Sequence, residues 1–196
     1  IIYDPISSEF TFKEKQFNDK CPTILQVGTG ENKNLENVIK AIKDIPCKLE
    51  IIGKLSSAQE NLLNNSKINY INSFNLTDEQ VRNKYIDSDI VVFASTYEGF
   101  GLPIIEAQAT GRVVITSNIA PMNEVSGKGA CLINPYDVDS IKNAVLKICH
   151  DSSYRNSLIE FGKKNVVRFS PQKIAKDYLK VYDEVLNENK EVYHNK

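Results

Sequence analysis

The chain has 196 residues, 41% of them hydrophobic and 25% charged, with a formal net charge of −1. Such a composition suits one substantial globular domain, or a domain with an appendage, and offers no electrostatic grip on nucleic acid or anionic lipid. No apolar stretch reaches the roughly 20 residues that cross a bilayer, so no integral membrane segment is expected.

Ile1-Ile-Tyr-Asp-Pro-Ile reads as a strand leaving one domain, and residues 1–20 as an inter-domain crossover whose Phe10, Phe12 and Phe17 touch a surface. Alternating strands and helices follow over residues 21–170. Thr23 to Val27 is a predicted strand, and Leu35 to Lys43 a helix with Leu35, Val38, Ile39 and Ile42 on one face. Lys48 to Ile52 is a strand stopped by Gly53, Ser57 to Asn65 a short helix, and Ile68 to Ile71 a strand. Thr77-Asp-Glu-Gln80 has capping-box spacing and opens a helix through Tyr85. Ile90 to Ala94 is apolar throughout, as a strand buried on both faces should be, and a helix starts near Pro103. Strands are expected at Val113 to Thr116 and Cys131 to Ile133, and helices over Asp137 to Cys149 and Ser153 to Val166. Residues 171–196 form a last helix running towards Asn187, then a polar tail that frays. This order predicts an α/β, Rossmann-like fold: a mostly parallel sheet of about six strands, helices on both faces, and a C-terminal helix.

Two segments carry chemistry. Gly28-Thr29-Gly30 follows a strand and precedes a helix, so its amides can approach a phosphate closely; it is not a full G-x-G-x-x-G. Lys33 is not in a P-loop arrangement and reads equally as a surface lysine. Further on, Ser95-Thr-Tyr-Glu98-Gly99-Phe100-Gly101-Leu102-Pro103-Ile-Ile-Glu106-Ala sets two carboxylates around a glycine turn between strand and helix. Unpaired amides and the helix dipole favour an anion there. The carboxylates would repel a phosphate, but they accept hydrogen bonds from sugar hydroxyls. A ligand with phosphates in its middle and hydroxyl-rich rings at both ends meets both demands. Alternatively Glu106, placed in the first helical turn, complements the dipole, and Glu98 is a solvated loop residue.

Glu98-Gly-Phe-Gly-Leu-Pro-Ile-Ile-Glu106-Ala resembles the paired-glutamate motif of the family-four, or group one, retaining glycosyltransferases, which have two Rossmann-like domains (the GT-B fold). Val27-Gly-Thr-Gly-Glu-Asn-Lys33-Asn34, Asp87-Ser-Asp89-Ile-Val-Val, and Gly111 to Asn118 followed by Glu124-Val resemble further parts of that family in the same order. The resemblance implies a donor-binding C-terminal domain, with an N-terminal acceptor domain outside this sequence. It implies that Glu98 sits beside the donor sugar, that Glu106 binds the ribose hydroxyls, and that Lys33 pairs with the diphosphate. Phe100, Gly101 and Leu102 would present amides, and the base would lie near Asn72-Ser-Phe74. Family members often carry an arginine where Thr29 stands, so the hydroxyl and amide of Thr29 would substitute. The partners implied are a nucleoside-diphosphate sugar and a glycan or lipid-linked acceptor, with neither a cofactor nor a metal.

Cys21, Cys47, Cys131 and Cys149 lack C-x-x-C spacing, read as reduced thiols, and point to the cytoplasm. The resemblance adds a peripheral place at the inner face of a membrane. His150 follows a helix and His194 lies in the tail, so neither is expected to act in catalysis. Other readings are weaker. A retaining glycosidase needs its carboxyl pair about 5 Å apart across one bond, whereas a glycine turn parts these two. A sugar-nucleotide epimerase shares the fold but not the paired-glutamate run. A non-catalytic receiver-type module would end its first and third strands in acids, where this chain has Gly28 and Asn72.

Overall fold

The computed structural model describes residues 2–194, and the side chains of residues 2–186. Six strands form one parallel sheet: β1 (Thr23–Val27), β2 (Lys48–Ile52), β3 (Asn69–Ser73), β4 (Ile90–Phe93), β5 (Val113–Ser117) and β6 (Cys131–Ile133). Their order is β3-β2-β1-β4-β5-β6. Among the described residues the helices are α1 (Leu35–Ile42), α2 (Ser57–Ser66), α3 (Asp78–Asp87), α4 (Leu102–Ala109), α5 (Met122–Ser126), α6 (Val138–His150), α7 (Ser152–Val166) and α8 (Pro171–His194).

The central strands β4 and β5 lack polar alternation because both of their faces are covered. Ile24, Leu49, Ile51, Val92 and Ile115 pack under α1, α2, α6 and α7. Leu25, Val91, Phe93 and Val114 face the other way, towards α3, α4 and α5. β4 and β5 are buried at every residue, and each fully buried aliphatic side chain there contributes about 2 kcal/mol. The expected architecture is therefore the one observed.

Differences are local. Residues 2–20 carry neither helix nor strand; isolated backbone bonds, from Ile6 N–H to the Phe169 carbonyl and from Lys13 N–H to the Thr110 carbonyl, hold the segment together with side chains. Ile6 is buried, Arg112 donates to the Lys13 carbonyl, and Lys15 pairs with Asp89. A 3-10 turn at Glu31–Lys33 and the short α5 have no sequence periodicity to announce them. β3 begins and ends later than predicted, set by its register against β2 from Lys48↔Asn69 to Ile52↔Ser73. α8 extends past Asn187 to His194, so the backbone is helical where a fraying tail was expected; Asn195 and Lys196 lie outside the described residues.

Candidate functional site

Strand order reverses between β1 and β4, and the loops leaving their C-terminal ends lie side by side. In open α/β sheets this switch point is where a crevice forms for ligands. Here the two loops are bonded together. Thr96 N–H donates to the Asn32 carbonyl at 2.8 Å, and Asn32 Nδ2 donates to the Tyr97 carbonyl at 2.9 Å. Asn34, in the left-handed region at φ 59°, donates from Nδ2 to the carbonyls of Ala94 and Pro135.

This zipper brings Lys33 to Glu98. Lys33 Nζ donates to Glu98 Oε1 at 2.6 Å, and Asn32 Nδ2 reaches the same oxygen at 3.3 Å. The ammonium also stands 4.8 Å from the centre of the Phe93 ring. Lys33 can lie inward because Gly28, at φ 90°, has no side chain; a Cβ there would come within 2.8 Å of Lys33 Cγ. Lys33 is thus not a solvated surface lysine, and Glu98 is not a free loop carboxylate.

Bare amides surround the pair. Among the described residues the N–H groups of Thr29, Gly30, Gly99, Phe100, Gly101 and Leu102 have no hydrogen-bond acceptor. Gly101, at φ 107°, caps α4 in a conformation that a side chain would strain. Two expected donors are committed elsewhere. The Gly28 amide bonds the Ile52 carbonyl at 2.7 Å, continuing the sheet, and the Thr29 hydroxyl bonds the Lys54 carbonyl at 2.7 Å. Of the donors on Thr29, the amide alone remains for a ligand.

Glu106 needs a correction. α4 begins at Leu102, so Glu106 is its fifth residue and falls outside the first turn. Complementing the dipole does not explain it. Tyr85 Oη donates to Glu106 Oε2 at 2.6 Å from the facing helix α3. Burial pushes the Glu106 carboxyl above its ordinary pKa, with the Tyr85 hydrogen bond opposing. Burial, then the Glu106 charge and hydrogen bond, push the Tyr85 phenol well above its own, so it stays a neutral donor. Glu106 lines a hollow of about 240 Å³ with Ser7, Glu9, Phe10, Asp78, Val81 and Arg82. Glu98 is not among its lining residues, so the two glutamates serve separate hydrogen-bond sets.

The remaining residues divide. Asn72 is structural, its Nδ2 donating to the carbonyls of Ile51 and Gly53. Phe74 is 53% exposed and available as a stacking surface, whereas the Phe100 ring packs on Tyr3 and Phe169. His150 ends α6, away from these loops, and the His194 side chain lies outside the described residues. Asn32 and Tyr85 are the side chains that sequence reading missed; their partners lie 66 and 21 residues away. A second hollow, about 420 Å³ and walled in part by Lys48, Glu50, Lys84 and Asp87, contains none of the predicted site residues.

Comparison with known proteins bears on the family and the fold. The family described as Glycosyl transferases group 1 matches residues 7–165. O-antigen chain mannosyltransferase B of Escherichia coli is 33% identical over 105 residues, covering 54% of this chain and 28% of that protein. An uncharacterized glycosyltransferase of Methanocaldococcus jannaschii is 26% identical over 191 residues, covering 94% and 53%. The chain thus spans about a quarter to a half of the length of these relatives. Among solved structures, sucrose-phosphate synthase of Thermosynechococcus elongatus superposes with a TM-score of 0.82 at 20% identity, over 95% of this chain and 52% of that one. The C-terminal domain of the group 1 glycosyl transferase LpcC from Francisella tularensis gives 0.67 at 21% identity, over 81% of this chain and 94% of that one. With its family matched over most of its length, the chain belongs to the group 1 glycosyl transferases.

Proposed function

We propose that this chain is the donor-binding half of a retaining hexosyltransferase that builds cell-surface polysaccharide or lipopolysaccharide from a nucleoside-diphosphate sugar. The observation that carries the reading is the Lys33–Glu98 pair beside a turn of unbonded amides, in a chain of this family. Each half of the pair has a role that the other masks. An entering pyrophosphate competes with Glu98 for the Lys33 ammonium, and the Thr29, Gly30 and α4-turn amides complete its cradle. Glu98, released, accepts hydrogen bonds from the donor sugar's hydroxyls and faces positive charge as it grows on the anomeric carbon.

Transfer breaks the bond between anomeric carbon and phosphate oxygen, and the nucleoside diphosphate leaves with the electron pair. The acceptor hydroxyl bonds the same carbon from the face that the phosphate leaves, and its proton passes to the departing phosphate oxygen. Negative charge grows on the leaving phosphate, where a fixed ammonium and oriented amides stabilise the transition state more than the ground state. These groups supply the positive charge that other transferases draw from a metal, so no divalent ion is required. Glu106 receives the ribose hydroxyls, and the exposed Phe74 offers a face to the base. The acceptor is a glycan or lipid-linked sugar, bound by a domain outside this chain. The protein works in the cytoplasm, peripherally at the inner face of a membrane.

Relatives named as mannosyltransferases make a mannosyl nucleotide the first donor to test. The full-length protein should release nucleoside diphosphate from one sugar nucleotide in the presence of chelator, and the product linkage should keep the donor's anomeric configuration. Inverted product, or turnover that ceases on chelation, would defeat the proposal.

A further inference from the structure

Tyr85 is 0% exposed, and its hydroxyl has a single partner, Glu106 Oε2 at 2.6 Å. A buried position that required only bulk would take phenylalanine, because a buried hydroxyl costs free energy unless it is bonded. Phe10 meets the Tyr85 ring edge-on, at 5.6 Å between centres and 82° between planes, so the ring itself is fixed from the crossover segment. The bond crosses from α3 to α4 at the wall of the hollow that Glu106 lines. Among the described residues Glu106 Oε1 has no protein partner. The one cation in the lining, Arg82, donates to Glu9 instead. One oxygen of a largely desolvated carboxylate is thus tied, and the other is left for a donor that the protein does not supply.

We propose that Tyr85 is a positioning residue, whose hydroxyl locks the Glu106 carboxylate in the rotamer that receives the vicinal hydroxyls of the donor's ribose and so sets the preference for ribonucleotides over deoxyribonucleotides. It rests on the reading of Glu106 as the ribose acceptor. The physical gain is preorganisation. A carboxylate already held at one oxygen loses less rotamer freedom when the ligand takes the other. Without the phenol, Glu106 turns freely, and Oε1 is no longer a fixed acceptor for a rigid diol.

The test compares binding of UDP, GDP and ADP with their 2′-deoxy forms to the full-length protein by calorimetry, for wild type, Tyr85→Phe and Glu106→Gln. In wild type the ribonucleotide that binds should be favoured by about ten-fold, the scale of one hydrogen bond to a charged group. Tyr85→Phe should erase most of that ratio by weakening the ribonucleotide more than its deoxy form, a selective loss that general loosening of the domain would not give. A cooperative urea transition of the same variant, run alongside, separates loss of positioning from loss of fold. A ribose preference retained in Tyr85→Phe but lost in Glu106→Gln would overturn this inference and leave the role of Glu106 standing. A wild type without ribose preference, or a Glu106→Gln variant that keeps it, would remove the role of Glu106 itself.

Discussion

Lys33 and Glu98 lie 65 residues apart, and each is more than three-quarters buried at the side chain. A single pair that still reaches solvent holds a fold together only weakly, contributing about 1 kcal/mol or less. Glu98→Gln should therefore unfold within about 1 kcal/mol of wild type in urea while turnover falls by about 100-fold. A variant that lost stability and kept its rate would show the pair to be structural. Some of this was legible before folding. The strand, the glycine turn and Glu98 are adjacent in sequence, so their nearness could be read directly. Thr29 could not: its hydroxyl is taken by the Lys54 carbonyl, 25 residues on. The misplacement of Glu106 came from Pro103, which fits a helix start but does not say which residue begins it. α4 opens one residue earlier, at Leu102, and Glu106 is left beyond the first turn, where only Tyr85 explains it.

At the scale of elements, α3 is fastened to the sheet as well as to α4. Lys84 on α3 and Lys48 on β2 both pair with Glu50, at 2.8 and 2.6 Å. Burial alone would raise the Glu50 carboxyl, but the hydrogen bonds and charges of the two lysines outweigh it and hold the group below its ordinary value. A carboxyl lowered in the folded state contributes stability above its unfolded value, near about 4.3, and loses it as pH falls through the lower folded one. Glu50→Gln should cost about 1–2 kcal/mol at neutral pH and flatten the acid limb of the stability curve. A parallel shift of the whole curve in urea titrations would show that charge is not the cause. Elements with strong periodicity, α1 and α6 above all, were legible because their buried faces follow the helical repeat. α5 was not, since five residues hold too little of any period and its formation depends on packing Met122 and Val125 into the core. The capping box of α3 was readable from Thr77 and Gln80; the sequence reading did not name that of α2, which Ser56 and Gln59 form at the same spacing.

For the whole molecule, the apolar strands separated by helices specified a parallel sheet covered on both sides, and the order β3-β2-β1-β4-β5-β6 places the switch point under Lys33 and Glu98. The path of residues 2–20 was not legible, because contacts made by distant side chains fix it. Arg112 gathers the carbonyls of Ile86, Ser88, Thr110 and Lys13, and the Arg155 guanidinium stacks on Phe17 at 3.8 Å. The same segment delivers Ser7, Glu9 and Phe10 to the hollow beside Glu106, so it forms one wall of a hollow whose other walls are α3 and α4. The central claim is that this face of the sheet grips a pyrophosphate through Lys33 and main-chain amides. Its most direct test is calorimetric titration of the full-length protein and of Lys33→Ala with UDP, GDP and ADP in chelator. One diphosphate should bind wild type, and Lys33→Ala should weaken it at least about ten-fold, as loss of a charge-assisted contact demands. Failure of all three to bind, or equal affinity in the two proteins, would contradict the claim.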